Sequence, residues 1–195
     1  DTNDESTDTP ILMDEIIYCF TDPNVPVLGQ APRQYALDEE FAQQINTLPY
    51  NQLIAVLEPC FSGGFVKDLS VDPNTTNRKK VIITSTEETS LSYSNGSLSN
   101  RYDHFSYLFT CALFGKNHQG QALTENPAHY APRNNELSIW EAFWYARKFD
   151  TPLEIPRIDD NKDGIATPFS GSFILPNYTG TGLPPDGYVA STIML

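Results

Sequence analysis

Apolar residues along this 195-residue chain fall in short blocks separated by polar stretches rich in proline, glycine and serine. Three blocks, EIIYCF (15–20), QLIAVLE (52–58) and VIITST (81–86), are apolar on both faces and rich in β-branched residues, the pattern of buried strands. A period near 3.6 appears in LDEEFAQQINTL, where Leu37, Phe41, Ile45 and Leu48 share a face and acids occupy the first turn. HFSYLFTCALFG (104–115) reads as a mostly buried helix ended by Gly115. SIWEAFWYARKF (138–149) carries the clearest helix signal, with Ser138 and Glu141 spaced as a capping box and Trp140, Phe143, Trp144 and Tyr145 available for packing. The connections DPNVPVLGQAPRQY, VKDLSVDPNTTNRKK and SLSYSNGSLSNRYD read as loops, and the closing YVASTIML reads as a strand.

Strands alternating with helices predict an α/β fold, a mostly parallel sheet covered on both faces. Length and the lack of a composition break favour one domain, 14–195, after an acidic linker over 1–13. In such sheets chemistry collects past the carboxyl ends of the strands. Asp22 to Asn24, Cys60 to Gly64, and Glu87 with Glu88 all follow predicted strands, so they are expected to share one crevice.

Charge narrows the partners. Twenty-five acids against twelve bases give a net charge of −13, which repels phosphate backbones and argues against nucleic acid. It suits a basic ligand or a secreted protein, so an extracellular or cell-surface setting is favoured while the compartment stays open. No apolar run reaches the length of a membrane span. Three cysteines, Cys19, Cys60 and Cys111, allow one disulfide at most. In DDNKDG, Asp159, Asn161 and Asp163 stand at positions one, three and five of a calcium loop, with Gly164 at six. Ser170 replaces the glutamate that completes that template, so Ca2+ is a candidate ligand and a metal-free Asp-Gly turn the plainer one.

The stretch LEPCFSGGF (57–65) holds the strongest candidate chemistry. A thiol placed after a strand, with Gly63 and Gly64 leaving room for a substrate backbone, can attack a carbonyl as thiolate. Its backbone N–H can serve the developing oxyanion. A small buried cysteine before a glycine turn is the alternative.

Glu58, Cys60, Ser62 and Gly63, followed by VIITSTEET and DHFSYLFTCALFG, resemble the caspase-like (clan CD) cysteine peptidases, nearest in pattern to bacterial caspase-like proteins, metacaspases and legumain. The likeness runs from about Asp14 to the C-terminus. It implies a three-layer sandwich and peptide-bond hydrolysis through Cys60, with no cofactor required. By the same resemblance Glu58 lines a pocket for a basic side chain, with Gly63, Glu87 and Glu88 beside it.

Two departures follow from the same resemblance. The family's base is a histidine followed by glycine after the preceding strand, whereas Thr21 and Asp22 lead here into Pro23 and Asn24. Proline transfers no proton, so activity is expected to be impaired; His104 is the nearest substitute. The family's first two strands also have no counterpart, which implies another chain or fragment that supplies them. The expected function is therefore a weakened cysteine endopeptidase acting on peptides with basic residues. The alternative is a non-catalytic module that binds a peptide or protein segment; a thiol-dependent small-molecule hydrolase has only Cys60 to support it.

Overall fold

The structure is a computed structural model and describes residues 16–18, 35–70, 78–94, 103–130, 136–169, 173–174 and 176–195. The linker 1–13, Cys19, and the base position with Thr21, Asp22, Pro23 and Asn24 lie outside the described residues.

The chain forms a mixed α/β fold around a four-stranded sheet. Strands β3 (Gln52–Leu57), β4 (Lys79–Thr84), β5 (Arg157–Asp159) and β6 (Thr167–Pro168) lie side by side in that order. Only β3 and β4 are parallel; β5 and β6 each run antiparallel to their neighbour. The expectation of a mostly parallel sheet is therefore corrected to a mixed one. The connection from β4 to β5 carries two helices, α3 (His104–Phe114) and α4 (Ile139–Phe149), in place of the single crossover helix of a βαβ unit.

The run at 15–20 is corrected as well. Its strand β1 (Ile16–Tyr18) pairs antiparallel with β2 (Tyr35–Leu37) in a separate two-stranded sheet.

Helices cover both faces of the main sheet. Side chains alternate across β4, so Val81 and Ile83 join Ile158 against α3 (His104–Phe114), α4 and α5 (Tyr188–Ser191). Ile82 and Leu57 point the other way, onto Ala42 of α1 (Asp38–Thr47) and onto Phe65, Val66 and Leu69 of α2 (Phe65–Ser70). Helix α2 lies inside the stretch read from sequence as a polar loop; three buried apolar residues at helical spacing hold it in place. Lys80 is buried beneath α1 and α2, and its Nζ donates to Asn46 Oδ1 at 2.8 Å and to Leu69 O at 2.7 Å.

In α4 the capping box forms as the spacing predicts: Ser138 Oγ accepts from Glu141 N, and Glu141 Oε2 accepts from Ser138 N at 2.8 Å. Every residue from 139 to 146 is buried, because Phe169 and Phe173 pack on the side of the helix away from the sheet. Gly115 closes α3 in the left-handed conformation, as expected.

The tail departs from its strand reading. Residues 188–191 form α5, whose first turn is held by the Asp160 carboxylate accepting from Gly187 N at 2.9 Å and Ala190 N at 2.7 Å. Strand-like pairing survives only at the end, where Ile193 O accepts from Ile139 N and Leu195 N donates to Leu137 O.

Candidate functional site

Cys60 sits three residues beyond the end of β3, on the exposed side of a tight turn. Phe61 adopts the left-handed conformation at φ 63°, an unfavourable geometry for a bulky residue, and Ser62–Gly64 follow as a single 3-10 turn. The turn is fixed by Ser62 N donating to Pro59 O, Gly64 N to Phe61 O, and Phe61 N to Ser90 O at 2.8 Å. Among the described residues, the Cys60 N–H takes no backbone partner of this kind. Among the described residues, the sulfur's hydrogen bonds are to Ser92: Ser92 N–H donates to Sγ at 3.3 Å, and Sγ lies 3.8 Å from Ser92 O.

Gly63 explains why the turn needs glycine. A Cβ built there would lie 2.6 Å from Glu87 C and 2.7 Å from Glu87 Cα, which are backbone atoms unable to swing aside. Gly63→Ala is expected to push the 87–90 segment off the Cys60 turn and to cost about 1–3 kcal/mol, the usual range for overpacking. Thermal unfolding measures that cost, and faster cleavage by a protease within 87–94 marks the displaced segment.

Two groups of carboxylates flank this turn, and they differ in character. On one side a cleft of about 260 Å³ is lined by Gly63, Lys67, Glu87, Glu88 and Arg157 among others. Glu87 is ion-paired with Arg157, and its Oε1 accepts from Ser90 Oγ at 2.9 Å. The Ser90 bond chiefly, with Arg157 helping, holds its carboxyl below the usual range. Glu88 lies 4.0 Å from Lys67 Nζ with both side chains about half exposed. Glu87 and Glu88, expected to line a pocket for a basic side chain, each already face a cation of the chain itself.

On the other side, Glu58, expected to line a pocket for a basic side chain, is hydrogen-bonded within the fold. Its Oε2 accepts from Ser106 N in the first turn of α3 at 2.8 Å, and its Oε1 from Ser92 Oγ at 3.2 Å. Burial, only partly offset by the Ser106 bonds, pushes its carboxyl up to about 7. Glu154 meets the same serine: its Oε1 accepts from Ser92 Oγ at 3.3 Å and from Tyr93 N. Burial first, then Asp150, pushes Glu154 up to about 8. Asp150 is raised to about 6, again chiefly by burial.

His104 bonds into this group and not to the thiol. Its Nδ1 lies 2.9 Å from Asp150 Oδ1, and burial lowers its pKa. Among the described residues, neither hydrogen bond of the Cys60 sulfur comes from a histidine. His118 pairs with the Tyr107 hydroxyl at 2.8 Å, and His129 with Asn126 Nδ2 at 3.3 Å.

The loop at 159–164 spends its oxygens on the fold. Asp159 accepts from Ser70 Oγ at 2.5 Å, Lys162 N at 3.0 Å and Gly164 N at 2.9 Å. Asn161 and Asp163 bond to each other and to the turn's own amides. The oxygens of Asp159, Asn161 and Asp163, the residues expected to hold calcium, thus accept from the chain's own donors. Among the described residues, no three His, Cys, Asp or Glu side chains converge as a metal site.

The sequence reading expected Cys60–Gly64 and Glu87–Glu88 in one crevice; Gly63 lines a cleft with Glu87 and Glu88, and Cys60 is not among that cleft's lining residues. The sequence reading missed Ser92, Asp150 and Glu154. Ser92 sits in a serine-rich loop and both acids follow a helix, so no local pattern separates them from solvated residues. No helix of the described residues is long and apolar enough to cross a membrane. Compared with models of protein families, with curated proteins and with solved structures, the chain matches none.

Proposed function

We propose that this chain is the larger part of a caspase-like cysteine-peptidase domain whose Cys60 engages peptide carbonyls but turns them over weakly. The observation that carries the reading is the exposed Cys60 at the carboxyl end of a parallel strand pair, on a turn whose Gly63 lies against the chain's own Glu87–Glu88 backbone. The Cys60 N–H, without a backbone partner among the described residues, is available to an oxyanion. Weak turnover follows from the sulfur's surroundings: Ser92 backbone groups cannot take the thiol proton, and Pro23 stands at the expected base position. Loss of one member of such a unit costs on the order of 10⁴-fold in rate. Further strands, from another chain or fragment, would extend the sheet beyond β3, the outer strand of the described four.

The test is covalent capture. Peptidyl electrophiles ending in arginine, lysine or a neutral residue are incubated with the protein, and adducts are located by mass spectrometry. Stoichiometric labelling of Cys60, absent in Cys60→Ala, is the expected result. Because Glu87 and Glu88 already face Arg157 and Lys67, the basic probes are expected to gain no more than a few-fold over the neutral one. Absence of labelling by every probe would favour the second reading, a non-catalytic module that holds a peptide or protein segment. The sulfur's lack of a side-chain base among the described residues is the specific observation behind that reading.

A further inference from the structure

Apart from the cleft beside Gly63, a groove of about 680 Å³ runs along α3. One wall is a single face of that helix, from Asp103 at its start through Tyr107 and Thr110 to Phe114, spaced three or four residues apart. The other wall is the turn from Lys116 to Gly120. That turn is fixed in two ways. Asn117 Oδ1 accepts from Gln119 N at 3.0 Å and from Gln121 N at 2.9 Å, and His118 Nδ1 reaches back to the Tyr107 hydroxyl at 2.8 Å. Both walls are therefore set in advance, and the volume is that of a binding cleft.

The groove has an apolar middle and unlike ends. Phe114 is 76% exposed, the highest value for a large apolar side chain among the described residues. Just beyond it Lys116 is exposed, and among the described residues its ammonium meets no acid. At the opposite end stands Asp103, also exposed. From Asp103 to Phe114 the helix adds eleven residues, a length of about 16 Å that matches about five residues of extended chain. The Asp103 end adjoins the Cys60 turn. Ser106 lines the groove while its N–H donates to Glu58 at 2.8 Å; Glu58 accepts in turn from Ser92 Oγ, and the Ser92 N–H meets the sulfur.

We propose that this groove binds an extended peptide segment carrying an apolar residue and, two positions away, an acidic one. Residues two apart share a face of an extended chain, so the apolar side chain lies on Phe114 and Tyr107 while the carboxylate meets Lys116. Asp103 repels an acid at the other end, so the acidic residue is the one farther from the thiol. An exposed ion pair changes affinity by about fivefold at most, whereas an aromatic anchor carries more. Phe114 thus supplies most of the affinity and Lys116 the register. The proposal rests on the reading of this chain as one that engages peptides, and it holds for a cleaving or a non-cleaving chain alike.

Fluorescence anisotropy with labelled seven-residue peptides tests it on the whole chain, wild type and Cys60→Ala. Peptides with the apolar-x-acidic pattern, in both chain directions, are compared with controls that place the two residues side by side. In at least one direction the patterned peptide is expected to bind about fivefold or more tightly than its control. Phe114→Ala should weaken it by about fivefold or more, and Thr110→Trp, at an exposed position, should fill the groove and abolish binding. In Lys116→Glu the preference is expected to reverse, so that a peptide with lysine in place of the acid binds better than the acidic one. Phe114 and Lys116 are exposed, so their replacement leaves the core alone and the test stands even if Thr110→Trp folds poorly. Equal binding of patterned and control peptides, no binding by any of them, or an unreversed preference in Lys116→Glu would each overturn the proposal. Patterned binding without labelling of Cys60 by any electrophile would keep the groove and remove the peptidase; labelling without patterned binding would do the opposite.

Discussion

Thermal unfolding of the wild-type chain is expected to show its highest midpoint near about pH 4.5 and to fall by roughly 10 °C by about pH 9. Glu58, Asp150, Glu154, Asp160 and Asp186 have folded-state pKa values raised to about 7, 6, 8, 7 and 6, and burial is the leading cause for each. Between the ordinary carboxylate range and those values the folded chain holds protons that the unfolded chain has released. The unfolded state then binds fewer protons, so stability declines as pH rises. The contribution is complete below the unfolded values near about 4 and is lost through about pH 6 to 8.

His104 opposes this trend, since burial favours its neutral form and its contribution is lost as pH falls. It is one group against five. Each unit of displacement corresponds to about 1.4 kcal/mol. Asp150 and Glu154 affect each other's ionisation, and the groups are partly solvated, so only a fraction of the nominal total is realised. If about 4 kcal/mol survives, a domain of this length loses roughly 10 °C. Added negative charge on a chain already at −13 acts in the same direction. A midpoint that rises toward alkaline pH would show these carboxyls ionised in the fold.

The second large effect is a coupled pair under the aromatic core. Gly187 stands at φ 85°, and a Cβ there would lie 2.5 Å from Trp140 Cη2 and 2.6 Å from Cε3. Trp140 cannot yield, because it is fully buried, stacks on Phe143 at 5.6 Å, meets Phe169 edge-on at 4.7 Å, and donates from Nε1 to Ile174 O. Gly187→Ala therefore meets two costs: about 1–2 kcal/mol for a left-handed residue with a side chain, and about 1–3 kcal/mol for overpacking. Trp140→Ala alone should cost about 3–5 kcal/mol through the cavity it leaves. In the double variant the new methyl enters that cavity, so Gly187→Ala should retain only its backbone cost. Denaturant titration of the four proteins reads a coupling of about 1–3 kcal/mol, and strict additivity would show the ring moving freely.

Much of the fold can be read along the chain because its causes are local. The period of residues 139–149 and the Ser138–Glu141 pair specify α4 and its start, and Gly115 specifies the end of α3. Strand β4 is legible because five successive buried positions need apolar stretches on both faces; Lys80 is the exception, tolerated only because Asn46 and Leu69 meet its ammonium. Helix α2 was hidden because its apolar positions sit in a polar neighbourhood and become a face only against Ile82 and Ala42. In the tail, β-branched residues favour a strand, but Asp160, distant in sequence, satisfies the amides of a helical turn.

The candidate site divides in the same way. Cys60 on a glycine turn after a strand is a property of neighbours in the chain, and so is the excess of acid over base. What no stretch of sequence contains is the meeting of Glu58, Ser92, Asp150 and Glu154. Their chemistry depends on distance from water and from one another, and both are set when the 58–60 turn, the 90–93 segment and the end of α4 pack together. Identity of side chains was decided locally; their protonation was decided by burial, which only the folded chain creates.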